Sequence, residues 1–418
     1  MIVDRPRGTR DFPPQVVHER NHAKKRLESL FRRYNYREVV FPTLEHSALF
    51  KVKSGEEIGE HMYVFKDKGG REVCLRPEAT ASVARMFVDS LREKKKPVKV
   101  YYYGPMYRYE RPQRGRYREF WQMGVELMGA DCCGADSEVI ALACESMKCL
   151  GLDYSLDVGH IGVLRGYMNA LGLTDSTQDD IIFYLDTGKE DRVVKAGGDE
   201  VISELVTFKG EASVLDKAEK LLKGHDKALE SLRELSAICE LLDGFKLDYN
   251  VDLGLGRGLE YYTGMVFEMR VSGLGAENQV CGGGRYDKLI ELFGGPPTPA
   301  VGFAFGFDRL MEALREADVS FPQRNVDVLV APVNEKIWPA AFKLASMLRE
   351  EYIVEIDLLG RKLGKTLEWG ADINSKYALI VGPADYANNE VTLRDMSSGE
   401  QVKVEINKLK DELVNRLG

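Results

Sequence analysis

The sequence predicts an α+β protein of several domains, and three observations carry that reading. Residues 98–103 and 121–128 are apolar, β-prone runs on either side of an arginine-rich loop, which is the pattern of an antiparallel strand pair. Between residues 173 and 242, Lys, Glu, Asp and Leu recur at helical spacing with few aromatics, and glycines stand at 188, 197 and 198. This marks an inserted, mostly helical module. From Val326 onward, strand and helix patterns alternate, which describes a small α/β domain. A chain of 418 residues has room for two to three domains, each able to bury a core.

Taken in order, the first element is a charged amphipathic helix over 17–33. A strand over 36–42 follows, closed by Pro42, whose missing N–H is harmless at a strand end or sheet edge. Residues 72–75 form a short strand, and Arg76-Pro77-Glu78-Ala79-Thr80 opens a helix running to about Leu91. After the strand pair and the helical insertion comes a β-prone stretch reaching Phe267. If residues 257–262 are a strand within it, alternation puts Arg257, Leu259 and Tyr261 on one face. A buried arginine there needs an anionic partner. Residues 300–306 read as a glycine-bearing strand entering a helix with Arg309 in its first turn. The last domain runs as strand 326–332, helix 338–349, strand 353–357, a helix near Leu363, strands 377–381, 391–393 and 402–406, and a closing helix. Its expected core includes Val328, Val330, Ile353, Ile356 and Ile380.

Composition excludes several classes. The hydrophobic share is 44% and no run of about 18 apolar residues exists, so a soluble protein without a membrane span is expected. The N-terminus carries charges where a signal peptide needs an apolar core. Seven scattered cysteines, including Cys132-Cys133, suggest neither a disulfide framework nor a zinc knuckle, and fit the reducing cytoplasm. The six histidines form no HxE pattern, and no side-chain-held catalytic metal is expected. Neither GxGxxG after a first strand nor GxxxxGK[ST] occurs, which disfavours Rossmann and P-loop nucleotide sites.

Net charge is −8, so any polyanion site must be local. Residues 107–118 supply one, with five arginines against one glutamate. Arginine's planar fork suits phosphate oxygens and keeps its proton. A hairpin there can aim Arg108 and Glu110 at one ligand, while Phe120 on the return strand can stack on a base. Arg361, Lys362 and Lys365 form a second basic run, able to meet RNA phosphates or to be a solvated helix face.

These segments resemble a known family. Residues 36–42 resemble motif 1 of the class II aminoacyl-tRNA synthetases. Residues 107–110 with the return strand through Phe120 resemble motif 2, and Gly302-Phe303-Ala304-Phe305-Gly306-Phe307-Asp308-Arg309-Leu310 resembles motif 3. Those motifs are degenerate. Arg257-Gly258-Leu259-Glu260-Tyr261-Tyr262 and Gly283-Gly284-Arg285-Tyr286-Asp287 are more specific, and are similar to the two signature peptides of the histidyl-tRNA synthetases. Arg7-Gly8-Thr9-Arg10-Asp11-Phe12, Leu75-Arg76-Pro77-Glu78-Ala79-Thr80 and Gly104-Pro105-Met106-Tyr107-Arg108-Tyr109-Glu110-Arg111-Pro112 add to the likeness. Leu393-Arg394-Asp395-Met396 with Gly399-Glu400-Gln401 resembles the family's anticodon-binding domain. Trp121, and three glycines at 282–284, are mild departures.

The resemblance implies a class II synthetase-like antiparallel sheet core flanked by helices. It divides the chain into a catalytic core with motifs 1 and 2 (1–172), the insertion (173–242), the core with the signature peptides and motif 3 (243–322), and an anticodon-binding α/β domain (326–418). It implies ATP-dependent activation of L-histidine and transfer to the 3′ end of tRNA(His), with magnesium accompanying the pyrophosphate part of ATP, and a homodimer formed through motif 1. Arg257 and Arg108 would act on the α-phosphate, Arg309 and Arg116 on the γ-phosphate end, and Phe120 on adenine, with Glu110 in the same nucleotide site. Glu78, Thr80 and Gln122 would meet the ammonium of histidine, and Glu126 and Tyr262 its imidazole, with Tyr261 lining the pocket and Arg257 adjoining it. Gln122 and Glu126, four apart on a strand, share a face. The main alternative is the non-catalytic, synthetase-like regulatory subunit of ATP phosphoribosyltransferase. Arg257 and the domain after Val326 speak against it, as the tyrosine pair does against a prolyl or glycyl enzyme.

Overall fold

Two prolines start the first helix, Pro14–Arg33, where a missing N–H costs no intrahelical bond. Its apolar positions Ala23, Leu27, Leu30 and Phe31 are buried. The computed structural model describes residues 4–51, 61–110, 117–186, 189, 192–256, 261–275, 278–323 and 325–417. Contacts divide the chain into two compact units, Met1–Ser320 and Phe321–Gly418.

The first unit holds β1 (Arg37–Glu38), β2 (Leu44–His46), β3 (Tyr63–Lys66), β4 (Glu72–Leu75), β5 (Val98–Tyr107), β6 (Glu119–Met128), β7 (Ser155–His160), β8 (Lys209–Gly210) and β9 (Asn250–Asp252). The strands β10 (Met265–Arg270), β11 (Gln279–Arg285) and β12 (Ala300–Gly306) complete it. Nine of these form one sheet, in the order β1-β5-β6-β12-β11-β10-β7-β9-β8, and β2-β4-β3 form a small second one. From β5 to β7 every neighbour in the large sheet is antiparallel. Helix Cys133–Leu150 is buried along most of its length, as its run of Val139, Ile140, Ala141, Leu142 and Ala143 requires.

The expected strand over 36–42 is much shorter. Only Arg37 and Glu38 pair with β5, because the Arg76 guanidinium takes the carbonyls of Phe41 (2.7 Å) and Pro42 (3.2 Å) that a ladder would have used. The helix opened near Thr80 begins as Thr80–Met86 and continues as a π-helical turn, Phe87–Leu91. The insertion contains helices Asp175–Asp186, Glu200–Leu205, Val214–Leu221 and Asp226–Gly244. It is not wholly helical. It also supplies β8 to the edge of the large sheet, where Lys209 pairs with Asp157 and Asp252, each at 2.8 Å.

The second unit contains β13 (Val326–Pro332), β14 (Val354–Ile356), β15 (Ser375–Val381), β16 (Glu390–Asp395) and β17 (Gln401–Glu405), in the order β14-β13-β15-β16-β17. β13 runs parallel to both neighbours, which reflects the intervening helices Trp338–Leu348 and Leu363–Asp372. Val328, Val330, Ile356, Leu379 and Val381 share its core with Leu344 and Leu348. Ile353, expected in that core, is exposed just before β14 starts.

Candidate active site

Alternation along β6 places Phe120, Gln122 and Glu126 on one face of the large sheet. Across the register, Glu126 lies opposite Gly302, which lies opposite Gly284, while Gln122 lies between Gly104 and Gly306. This row of glycines leaves a hollow floored by backbone. A Cβ at Gly302 would sit 1.8 Å from the Glu126 carboxylate, and one at Gly284 would sit 2.8 Å from the Tyr262 ring. The glycines are therefore required by the side chains that fill their places.

Two buried carboxylates stand in this hollow, joined by Thr80. The Thr80 amide donates to Glu78 at 2.5 Å and its hydroxyl to Glu126 at 2.8 Å, while the Ala81 amide donates to the other Glu78 oxygen at 2.9 Å. Thr80 and Ala81 open helix Thr80–Met86, so Glu78 satisfies amides that the first turn leaves without partners. The Tyr286 hydroxyl donates to the second Glu126 oxygen. Burial pushes the Glu126 carboxyl up to about 8; the hydrogen bonds from Tyr286 and Thr80 oppose this, and the nearby Glu78 adds to it. Burial also raises Glu78, against its amide bonds and the Arg108 charge. The ring of Tyr261 lies 5.0 Å from that of Tyr262 and 5.8 Å from that of Tyr286. All three tyrosines are buried.

At the open end, Arg108 is held from behind by the Pro77 carbonyl at 3.0 Å. Its guanidinium lies 5.3 Å from the centre of the Phe120 ring and 4.0 Å from Glu110. Arg309 donates to the Gln279 carbonyl at 3.1 Å, three residues beyond Gly306, the partner of Gln122. The amide oxygen of Gln122 is buried without a hydrogen-bond partner, which suits a site awaiting a donor. The fold thus brings Glu78, Thr80, Glu126, Tyr261 and Tyr262 together, with Arg108, Glu110 and Phe120 beside one another. Arg257 and Arg116 lie outside the described residues. Tyr261 lies in a turn, so it is not part of the strand expected over 257–262; the next described strand begins at Met265.

Sequence reasoning gave no role to several residues that shape the site. Tyr286 stands in the sequence only as part of a signature peptide. Arg76 donates to Pro105, Phe41 and Pro42 carbonyls, fixing the loop that carries Glu78. Asp308 takes Arg10 at 2.8 Å, Arg20 at 2.6 Å and the Trp121 amide at 2.8 Å, tying the N-terminal segment to motifs 2 and 3. Glycines recurring on apolar strands were the available signal that large polar side chains cross there.

A family model described as histidyl-tRNA synthetase matches residues 8–310, and one described as an anticodon binding domain matches residues 327–416. The chain belongs to the histidyl-tRNA synthetase family. It is 41% identical to the histidine–tRNA ligase of Methanocaldococcus jannaschii, over 99% of each chain. The apo histidyl-tRNA synthetase of Staphylococcus aureus matches it with a TM-score of 0.79 at 28% identity, covering 99% of this chain and 100% of that one. A Bacillus halodurans structure described as an ATP phosphoribosyltransferase regulatory subunit/histidyl-tRNA synthetase gives 0.78 at 26% identity, covering 91% and 99%.

Proposed function

We propose that this protein activates L-histidine with ATP and transfers it to the 3′ end of tRNA(His). The observation that carries the reading is the pair of buried carboxylates bridged by Thr80. One suits an ammonium and the other a ring N–H, so the hollow fits a small substrate with a donor at each end. In the reaction, a histidine carboxylate oxygen bonds to the α-phosphorus of ATP and pyrophosphate leaves. The tRNA hydroxyl then attacks the acyl carbon and AMP leaves.

Glu78, Thr80 and Gln122 hold the ammonium, and Glu126 and Tyr262 the imidazole, within walls that include Tyr261. Arg108 and Arg257 flank the α-phosphate, Arg116 and Arg309 take the γ-phosphate end, Glu110 lines the nucleotide site, and adenine stacks on Phe120. Magnesium would enter as part of the ATP substrate and offset its phosphate charge. A ring read through two nitrogens can be distinguished about 10⁴–10⁵-fold from analogues lacking one, so the insertion is read as an RNA-contacting or interdomain element, not an editing site. The match of residues 327–416 to an anticodon binding domain favours the ligase over a regulatory subunit. Exposed Val40 in motif 1 and Leu44 just after it support a homodimer, and seven free thiols support a cytoplasmic location.

Glu126→Gln tests the pocket. Histidine's KM should rise about 10–10²-fold, the loss of a bond to a charged acceptor, with little change for ATP. Below about pH 8 the free wild-type carboxyl is protonated, so histidine kcat/KM should climb towards that pH and the variant should lose the climb. Stability runs the other way. A carboxyl raised on folding stabilises fully below its unfolded value and loses that contribution as pH rises through about 8. The variant should therefore melt no lower than wild type above that pH. An unchanged histidine KM with a raised ATP KM would move Glu126 to the nucleotide site.

A further inference from the structure

Arg285 ends β11 with its guanidinium buried between a carboxylate of helix Cys133–Leu150 and one just beyond its own strand. Its Nη2 lies 2.8 Å from Asp136 and its Nε 3.0 Å from the same oxygen, while Nη1 reaches Asp287 at 3.0 Å and donates to the Ala130 carbonyl at 3.3 Å. Asp136 is equally buried, in the first turn of helix Cys133–Leu150. A buried charge held this way resists displacement, because losing one partner strands the other.

The clamp grips the turn at residues 261–264. The Thr263 amide donates to the Arg285 carbonyl at 2.8 Å, and the Asp287 amide donates to the Thr263 hydroxyl at 3.1 Å. Asp287 also accepts from the Ala300 amide at 3.0 Å, which fixes it to β12. A Cβ at Gly264 would lie 2.9 Å from the Arg285 side chain, so the turn packs directly on the guanidinium stem. From the other side, the Ile161 amide donates to the Gly264 carbonyl at 2.9 Å. The next residue after Arg285 is Tyr286, which donates to Glu126.

We infer that Arg285, held by Asp136 and Asp287, is a positioning residue that sets the Tyr261-Tyr262 turn and Tyr286 against Glu126, and thereby recognition of the substrate's ring. The inference rests on reading that hollow as the histidine pocket. It predicts a split between substrates, because the clamp touches the tyrosine turn and has no bond to Arg108, Phe120 or Arg309 among the described contacts.

Asp136→Asn keeps the shape and removes one charge from the clamp. In amino-acid-dependent pyrophosphate exchange, the histidine KM should rise about 10–10²-fold, with kcat and the ATP KM near wild type. Thr263→Val, which removes the hydroxyl accepting from Asp287, should move the same parameter in the same direction. In a cycle with Tyr262→Phe, either variant should add less than its separate effect, since both act through one ring. Near-UV circular dichroism selects a folded variant for the cycle. Histidine and ATP KM values rising together, or effects that multiply within about twofold of independence, would overturn the inference. Wild-type protein silent with histidine would instead overturn the pocket reading.

Discussion

Arg257→Ala is expected to slow histidyl-adenylate formation about 10²–10³-fold, the typical cost of losing one donor to charge that develops in the transition state. Negative charge builds on the α-phosphate as the carboxylate attacks, so the guanidinium gains more there than in the ground state. Histidine affinity should change little, since its ammonium and ring are assigned to Glu78, Thr80, Gln122, Glu126 and Tyr262. On the proposed assignment Arg108, anchored on the Pro77 carbonyl beside Phe120, would supply the cation on the other side and should retain residual activity. Single-turnover adenylation with equilibrium binding of histidine separates the two effects. A fall in histidine affinity with an unchanged rate would remove Arg257 from the catalytic assignment.

Ending the chain after Gln323 should divide the two half-reactions. The second unit has its own buried core, around Val328, Val330, Ile356, Leu379 and Leu344, and should fold on its own. Every residue assigned to adenylation lies at or before Arg309. Pyrophosphate exchange should therefore survive in the shortened chain. Transfer to tRNA should fall about 10²-fold, as expected for losing roughly 3 kcal/mol of distant RNA contact. Light scattering on the same sample shows whether the oligomeric state has changed. A shortened chain that charges tRNA as well as the full one would remove the anticodon-binding role from the second unit.

The parts of this fold that were legible are those governed by local pattern. β4 and β13 match the expected strands residue for residue, and β5 and β6 extend the expected pair, because their apolar runs need no distant partner to explain them. The helix entered from β12 at residue 307 is equally local. What failed depended on distant residues. The strand after residue 36 stops early because Arg76, 35 residues beyond Phe41 and 34 beyond Pro42, takes their carbonyls. Tyr261 turns instead of extending, in a loop whose Thr263 is bonded to Arg285.

The same holds for the site. Gln122 and Glu126 could be placed on one face by counting along a strand. The partnership of Tyr286 with Glu126 spans 160 residues, and that of Arg285 with Asp136 spans 149. No spacing rule reaches that far. Asp308 stands in motif 3 at the start of a helix, yet its partners include Arg10 and Arg20, nearly the whole first unit away in sequence. Glycines 284 and 302 were visible in the motifs, but the ring and carboxylate that require them emerge only from the register of β11, β12 and β6.

On the proposed function, the hollow under Glu78 and Glu126 selects histidine for adenylation. Exchange of labelled pyrophosphate into ATP, run with the full-length protein and each of the twenty amino acids in turn, tests it most directly. Histidine alone should support exchange. Silence with every amino acid would contradict the claim and favour a regulatory subunit, and exchange driven by a different amino acid would reassign the pocket.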